Sequence, residues 1–408
     1  MTAEPVAPAH LQALFSPSAL QDPYSAYDAA RALGEVQPPP PGFFGWFAFG
    51  HPEVSAVLKS PHGGADRFGG DPEFERTKSY ALLKPMMLFH DGASHARLRG
   101  LATQAFTPKA VGETREFVQG AVNTLLDAMK RKEAAGEPVD FVRDLAVPLP
   151  VTVILQMLGL PADDGEKFKE WSDHLAFLLD GSSQSREKFE AAEAAAHQMS
   201  VYFRDVADEL RAHPKPGLMS ALALAEADQG RLNNEELLAN AVLLLAAGHE
   251  TTTNLLSGGL LALAQFPEQW RRLVQDETMT ANAVEELLRF VSPVQGTSRL
   301  ALADFSFDGV TIPTGSHVNL FVAAANRDAR VFPEPHRLDL SRPNAKNHLA
   351  FAVGAHYCLG ASLARLEGQI VFRTLADRFP GLSIAPQPLS YRANFLLRGL
   401  EHLFVALG

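Results

Sequence analysis

One cysteine, Cys358, stands in 408 residues. A lone cysteine closes no internal disulfide, so the fold is not a disulfide scaffold, and the count fits a reducing cytoplasm. Positive charge is also in deficit. Lys and Arg number 36 against 47 Asp and Glu, for a formal net charge of −11, which argues against a general nucleic-acid binder. The first residues, MTAEPVAPAH, lack the basic region and apolar core of a signal peptide. The best membrane candidate, 238–266, reads GHETTTN at its centre. Buried acidic and polar groups there are costly in lipid, so the segment reads as a helix inside a large soluble protein. The chain has no internal repeat, no long low-complexity linker, no Gly-rich nucleotide loop, no flavin domain and no cysteine cluster for an iron–sulfur centre.

What is present is mostly helical. Segments 94–106, 111–133, 147–158, 164–180, 185–212, 216–227, 233–265 and 267–291 show helical spacing or helix-forming composition. Before them come a stiff spacer, PPPP at 38–41, a strand in GFFGWFAFG, a short helix at 51–60 and a long loop over 61–89. After them come short strands in SRLALADFSFDGVTI, with a turn at Asp308-Gly309, and in SHVNLFVAAAN. An irregular stretch over 327–354 leads to the cysteine, a helix to about residue 379, and a tail of small strands. The composite is mainly α with minor β, in a single domain over 1–408.

Cys358 lies in FAVGAHYCLG, just ahead of a helix with Leu359, Leu363, Leu366 and Ile370 on one stripe. Free N–H groups and partial positive charge at a helix start favour thiolate. Gly354 and Gly360 allow close backbone approach, Phe351 shields the sulfur, and His356 adds a polar contact. This environment suits a thiolate metal ligand. Taken alone, the loop also fits an inert buried cysteine or a nucleophile with a histidine base.

Three further motifs occur upstream. Ala247-Gly248-His249-Glu250-Thr251-Thr252 interrupts an apolar helix; hydroxyls there compete for backbone carbonyls, and Gly248 leaves room for something bulky. Glu286 and Arg289 share a helix face at i, i+3. His95 and Arg99 do so at i, i+4. Read singly, these are a polar turn, a surface ion pair and a basic helix face.

Together they resemble the cytochrome P-450 monooxygenases, in order and spacing, from about Asp91 to Glu367. The core string is Phe351, Gly354, His356, Cys358 and Gly360; bacterial members often have glycine where this chain has Ala352. The resemblance implies that haem lies between the long distal helix and the cysteine-ligand helix. It implies haem b (iron protoporphyrin IX) with Cys358 as axial thiolate, and an oxygen groove at Ala247 and Gly248. There Glu250 and Thr251 relay protons. His95, Arg99, Arg299 and His356 contact the propionates, arginine because its fork matches carboxylates; His348 is a common family residue. Glu286, Arg289 and Arg337, the last followed by Leu338 where phenylalanine is frequent, form a buried network bracing the cysteine loop.

The implied reaction inserts one atom of O2 into a C–H or C=C bond of a small apolar molecule, terpenoid, fatty acyl, steroid or macrolide-like. Electrons come from a separate ferredoxin or flavodoxin with its reductase, and Arg97, Lys109 and Arg115 offer a basic docking face. Family pocket positions fall on Met86, Met87, Leu88, Phe89, Leu244, Ala247, Val294, Phe395 and Leu396, each also compatible with plain core. No nucleic-acid or membrane partner is expected. The rivals are a peroxide-driven peroxygenase, disfavoured by the acid–alcohol pair, a non-catalytic haem protein, and a haem-free thiol enzyme.

Overall fold

The computed structural model describes residues 11, 13–39, 44–67, 72–180, 185–229 and 232–408. The N-terminal decapeptide, half of the proline spacer and residues 42–43 of the expected strand lie outside them. Two compact units are formed, one from 68–253 and 359–370, the other from 1–67, 254–358 and 371–408.

The first unit is helical. Its helices include α1 (Gly92–Thr103), α2 (Pro148–Leu158), α3 (Gly165–Asp180), α4 (Arg186–Ala212) and the start of the long α5 (Asn234–Gln265). Their ends follow sequence rules. Pro148 opens α2, where a missing N–H costs nothing, and Gly159 at φ +77° closes it. The Ser185 hydroxyl accepts the Lys188 N–H and caps α4. Helix α5 packs closely on α2. A Cβ added at Gly248 would meet Ile154 Cγ1 at 3.1 Å, and the Thr253 hydroxyl donates to the Ala146 carbonyl at 2.9 Å.

The second unit holds a five-stranded sheet of β1 (Val36–Gln37), β2 (Trp46–Ala48), β3 (Gly63–Gly64), β4 (Thr297–Ala301) and β5 (His317–Leu320). Their order is β1-β2-β5-β4-β3; only the β2–β5 pairing is parallel. One face covers a core that includes Val54, Val57, Ile312, Val318, Leu320 and Leu349. The expected turn at Asp308 and Gly309 is present, both at positive φ, joining Phe307 to Val310. The expected helix over 267–291 is broken. Asp276 accepts from the Thr278 N–H at 2.9 Å and hydroxyl at 2.6 Å, an Asx turn that competes with helix. It leaves Pro267–Gln275 apart from α6 (Thr280–Val291).

Glu286 and Arg289 on α6 are fully buried. Two N–H groups of Arg289 reach the Glu286 carboxylate at 2.7 and 2.8 Å. The second arginine of this network is Arg342, whose Nε lies 3.1 Å from both Glu286 oxygens. Arg337, expected in that place, is not a member. Its side chain is 57% exposed and pairs with Glu334, because Leu338 takes the inward position and is fully buried. Arg337 contributes its carbonyl instead, accepting from both Arg289 and Arg342. The two guanidiniums also collect the carbonyls of Asn326, Pro333, Glu334 and Pro335. Backbone that has no helix or sheet to satisfy it is thereby satisfied.

The cysteine loop hangs from this brace. Asn326 donates to the Ser292 hydroxyl and accepts the Leu349 N–H at 2.6 Å. His348 pairs with Glu285 at 3.1 Å and accepts the Ala350 N–H. The Cys358 N–H donates to the Phe351 carbonyl at 2.8 Å, closing the loop. Gly354 is required, at φ +81°, because a Cβ would lie 2.6 Å from the Leu58 carbonyl oxygen. Ala352 also sits in the left-handed region, at φ +54°, where a side chain costs roughly 1–2 kcal/mol.

Two outcomes are expected. Arg342→Ala leaves Glu286 and Arg289 with an incomplete buried network and should destabilise the fold by about 3–5 kcal/mol. Arg337→Ala should shift stability by less than about 0.5 kcal/mol. Chemical denaturation of both variants compares them, and equal losses would contradict the assignment. Ala352→Gly should raise stability by about 1 kcal/mol through relieved backbone strain, net of the added chain entropy. A lower melting temperature in that variant would show the loop to be unstrained.

Candidate active site

Cys358 is exposed and in no disulfide. Helix α7 (Ala361–Arg378) starts three residues later, so its unpaired N–H groups lie close to the sulfur in sequence. Phe351 is buried beneath the loop, with its ring 6.3 Å from that of Tyr357. His356 is half-buried. A Cβ at Gly360 would meet no atom within 4 Å among the described residues. Protein packing therefore does not require glycine there, whereas a bulky group against the loop would.

Strand β4 of the same unit supplies buried cation. Arg299 is 4% exposed and donates to the Ser298 carbonyl at 2.8 Å and to the Thr297 hydroxyl. Arg67, missed by the sequence reading, donates to the same two acceptors at 2.7 and 3.1 Å. Burial, and then the neighbouring Arg299 charge, push the Arg67 guanidinium down to about 9. Two adjacent guanidiniums, Arg299 buried and Arg67 half-buried, suit a carboxylate. No motif surrounds Arg67 in GADRF, so only the fold reveals it.

In the helical unit, His95 is buried and Arg99 half-buried on one face of α1. Arg97 points elsewhere and is held by Glu236 on α5 through two bonds of 2.5 and 2.9 Å. Along the middle of α5, Leu243, Ala247 and Thr251 form an accessible strip in a helix otherwise mostly buried. The Thr251 hydroxyl donates to the Ala247 carbonyl at 3.1 Å, which leaves its oxygen as acceptor. Thr252 is buried, with its hydroxyl 3.5 Å from the Gly248 carbonyl. Glu250 is 7% exposed, with its carboxylate 3.9 Å from His249 Nε2. Gly248 differs from expectation. Its missing Cβ admits Ile154 rather than a bound group.

Among the expected pocket residues, Met86, Met87, Phe89 and Leu244 are buried, while Leu88, Val294, Phe395 and Leu396 are half-buried. Asn240, unnoticed in the sequence, fixes the 85–87 backbone to α5. It accepts the Met87 N–H at 2.9 Å and donates to the Pro85 and Glu236 carbonyls.

The donor set suits haem. The chain offers an exposed cysteine of soft-ligand chemistry, two neighbouring guanidiniums that suit carboxylates, and an apolar helix strip with one hydroxyl. Among the described residues, no helix is long and apolar enough to cross a membrane.

Known proteins agree with this chemistry. The family model described as cytochrome P450 matches residues 49–389. A biotin biosynthesis cytochrome P450 of Bacillus subtilis is 38% identical over 394 residues, covering 94% of this chain and 96% of the relative. A vitamin D(3) 25-hydroxylase of Pseudonocardia autotrophica is 39% identical over 404 residues, covering 97% and 96%. The solved structure of P450BioI, bound to an acyl carrier protein ligated to hexadec-9Z-enoic acid, superposes with a TM-score of 0.89 at 36% identity, covering 96% of this chain and 100% of that one. With a family match over most of its length and relatives of this identity, the chain belongs to the cytochrome P450 family and is a haem-dependent monooxygenase of the bacterial type.

Proposed function

We propose that Cys358 is the axial thiolate of a haem b held within a single catalytic domain over 1–408. The observation carrying this reading is that the one cysteine of the chain is exposed, just ahead of α7, in a loop tied down at both ends. Haem with a thiolate ligand supplies oxygen activation. The chain's own residues do the rest. Arg299 and Arg67, with His95, Arg99 and His356, hold the propionates. Leu243 and Ala247 keep the distal side apolar and exclude water. Glu250 brings protons from solvent. Thr251, its own proton committed to the Ala247 carbonyl, accepts a hydrogen bond from a water or other O–H and so fixes where a proton is delivered.

The substrate is a small apolar organic molecule. Met86–Phe89, Leu244, Ala247, Val294, Phe395 and Leu396 offer it apolar surface. The vitamin D(3) and the hexadec-9Z-enoic acid named for two similar proteins support this class. Electrons arrive from a ferredoxin or flavodoxin with its reductase in the cytoplasm. Arg97 is already paired with Glu236, so exposed Lys109 and Arg115 are the better docking cations.

Cys358→Ser should fold yet lose the thiolate signature of the reduced carbon monoxide complex; an unchanged spectrum would overturn the ligand assignment. Thr251→Val keeps shape and removes the acceptor. It should bind haem and substrate normally, consume electrons, and yield several-fold less product per reducing equivalent, with hydrogen peroxide making up the difference. Thr252→Val should be milder. Full coupling in Thr251→Val would favour the peroxide-driven reading.

A further inference from the structure

Three side chains in the helical unit converge without serving the reaction as a group. Asp173 on α3, and His249 and Glu250 on α5, each bring one nitrogen or oxygen ligand atom within 4.8 Å of the others. The ring of His249 is 1% exposed. Its Nδ1 lies 3.2 Å from the Leu245 carbonyl. A carbonyl only accepts, so Nδ1 carries the hydrogen and Nε2 presents a lone pair. Among the described residues that Nε2 has no hydrogen-bond partner, and it lies 3.9 Å from a Glu250 oxygen. A buried lone pair thus faces two carboxylates, an arrangement of acceptors that a positive centre reconciles.

A metal cation answers this geometry, because it binds neutral imidazole through such a lone pair. The backbone bond at Nδ1 is also the outer-shell contact that orients a metal-ligating histidine. Another acidic cluster provides the contrast. Glu35, Glu53 and Asp328 also converge, but Arg330 fills that cluster, at 2.8 Å from Glu53 and 2.7 Å from Asp328. At Asp173 the competing cation is Lys169, in an i, i+4 pair at 2.6 Å whose partners are 35% and 40% exposed. Such a pair is weak.

We propose that Asp173, His249 and Glu250 form a regulatory site for a divalent transition metal, zinc above all. One nitrogen and two carboxylate ligands with an open fourth position suit Zn2+. Ligand-to-metal distances near 2.0–2.2 Å require Asp173 and Glu250 to close on the buried imidazole. An occupied site takes the Glu250 carboxylate out of proton delivery. That consequence, unlike the binding itself, rests on the reading of Glu250 as a proton carrier. Zinc would then act as a brake on oxygenation.

The test is calorimetric titration of the haem-loaded protein with zinc chloride in a non-coordinating buffer. Asp173→Asn, at an exposed position, and His249→Gln are the comparison variants. One zinc per chain is expected, bound at least tenfold more weakly in each variant, and tighter after Lys169→Gln. No binding, or binding of equal strength in all forms and so held by other histidines, would overturn the site. A second reading is product per reducing equivalent with and without zinc. It should fall with zinc in the parent protein and hold steady in Asp173→Asn, whose zinc-free turnover should match the parent. If zinc binds as expected and coupling does not change, the site stands, and its regulatory role falls together with the proton-carrier reading of Glu250.

Discussion

A buried carboxylate with two guanidiniums holds together the part of the chain that has least structure of its own. Between β5 and α7 the backbone forms almost no helix or sheet, yet much of it is buried. Glu286 anchors Arg289 and Arg342, and their remaining N–H groups bind five carbonyls between Asn326 and Arg337. Removing two charges from water is expensive. Here the expense is offset by satisfying backbone groups that would otherwise be stranded. The network also sets position. Asn326 and His348 carry its order forward to Leu349 and Ala350, and so to the loop that ends at Cys358. The proposed role of Cys358 as iron ligand needs the sulfur held to within about half an ångström, and an irregular loop cannot supply that alone.

Much of this was legible in the sequence. Long helices announced themselves by composition and caps, and Asp308-Gly309 by its turn chemistry. Cys358, Glu286, Arg289 and Thr251 stand out because their chemistry conflicts with a plain core or because their spacing is specific. What was missed has a common cause. Arg342 and Arg337 lie five residues apart in irregular backbone, where no period tells which side chain points inward; the burial of Leu338 decides it. At Gly248 Ile154 takes the space a Cβ would fill, and a sequence does not say which side of a helix its neighbour occupies. Arg67 and Asn240 belong to no motif. Their importance arises from partners more than 150 residues away, which only the tertiary fold brings near. The break at Asp276 was hidden because helix-forming residues flank an Asx turn.

The cysteine loop shows two ways of meeting the same backbone demand. Gly354 is obligatory, since the Leu58 carbonyl leaves no room for a Cβ. At Ala352 the demand is conformational alone. The residue keeps its methyl group against the apolar cluster that includes Val57 and Leu349, so packing compensates part of the strain. A position that resembles a departure from the family pattern is thus a local trade in which packing offsets only part of the strain.

Asn240 has an implication for redesign. It clamps the main chain of residues 85–87 while leaving the side chains of Met86, Leu88 and Phe89 outside the hydrogen bonding. On the proposed substrate pocket, selectivity at that segment can therefore be re-cut one side chain at a time, with the backbone as a fixed jig. An exchange at Asn240 itself would loosen all three at once and turn a set of separable choices into a single coupled one.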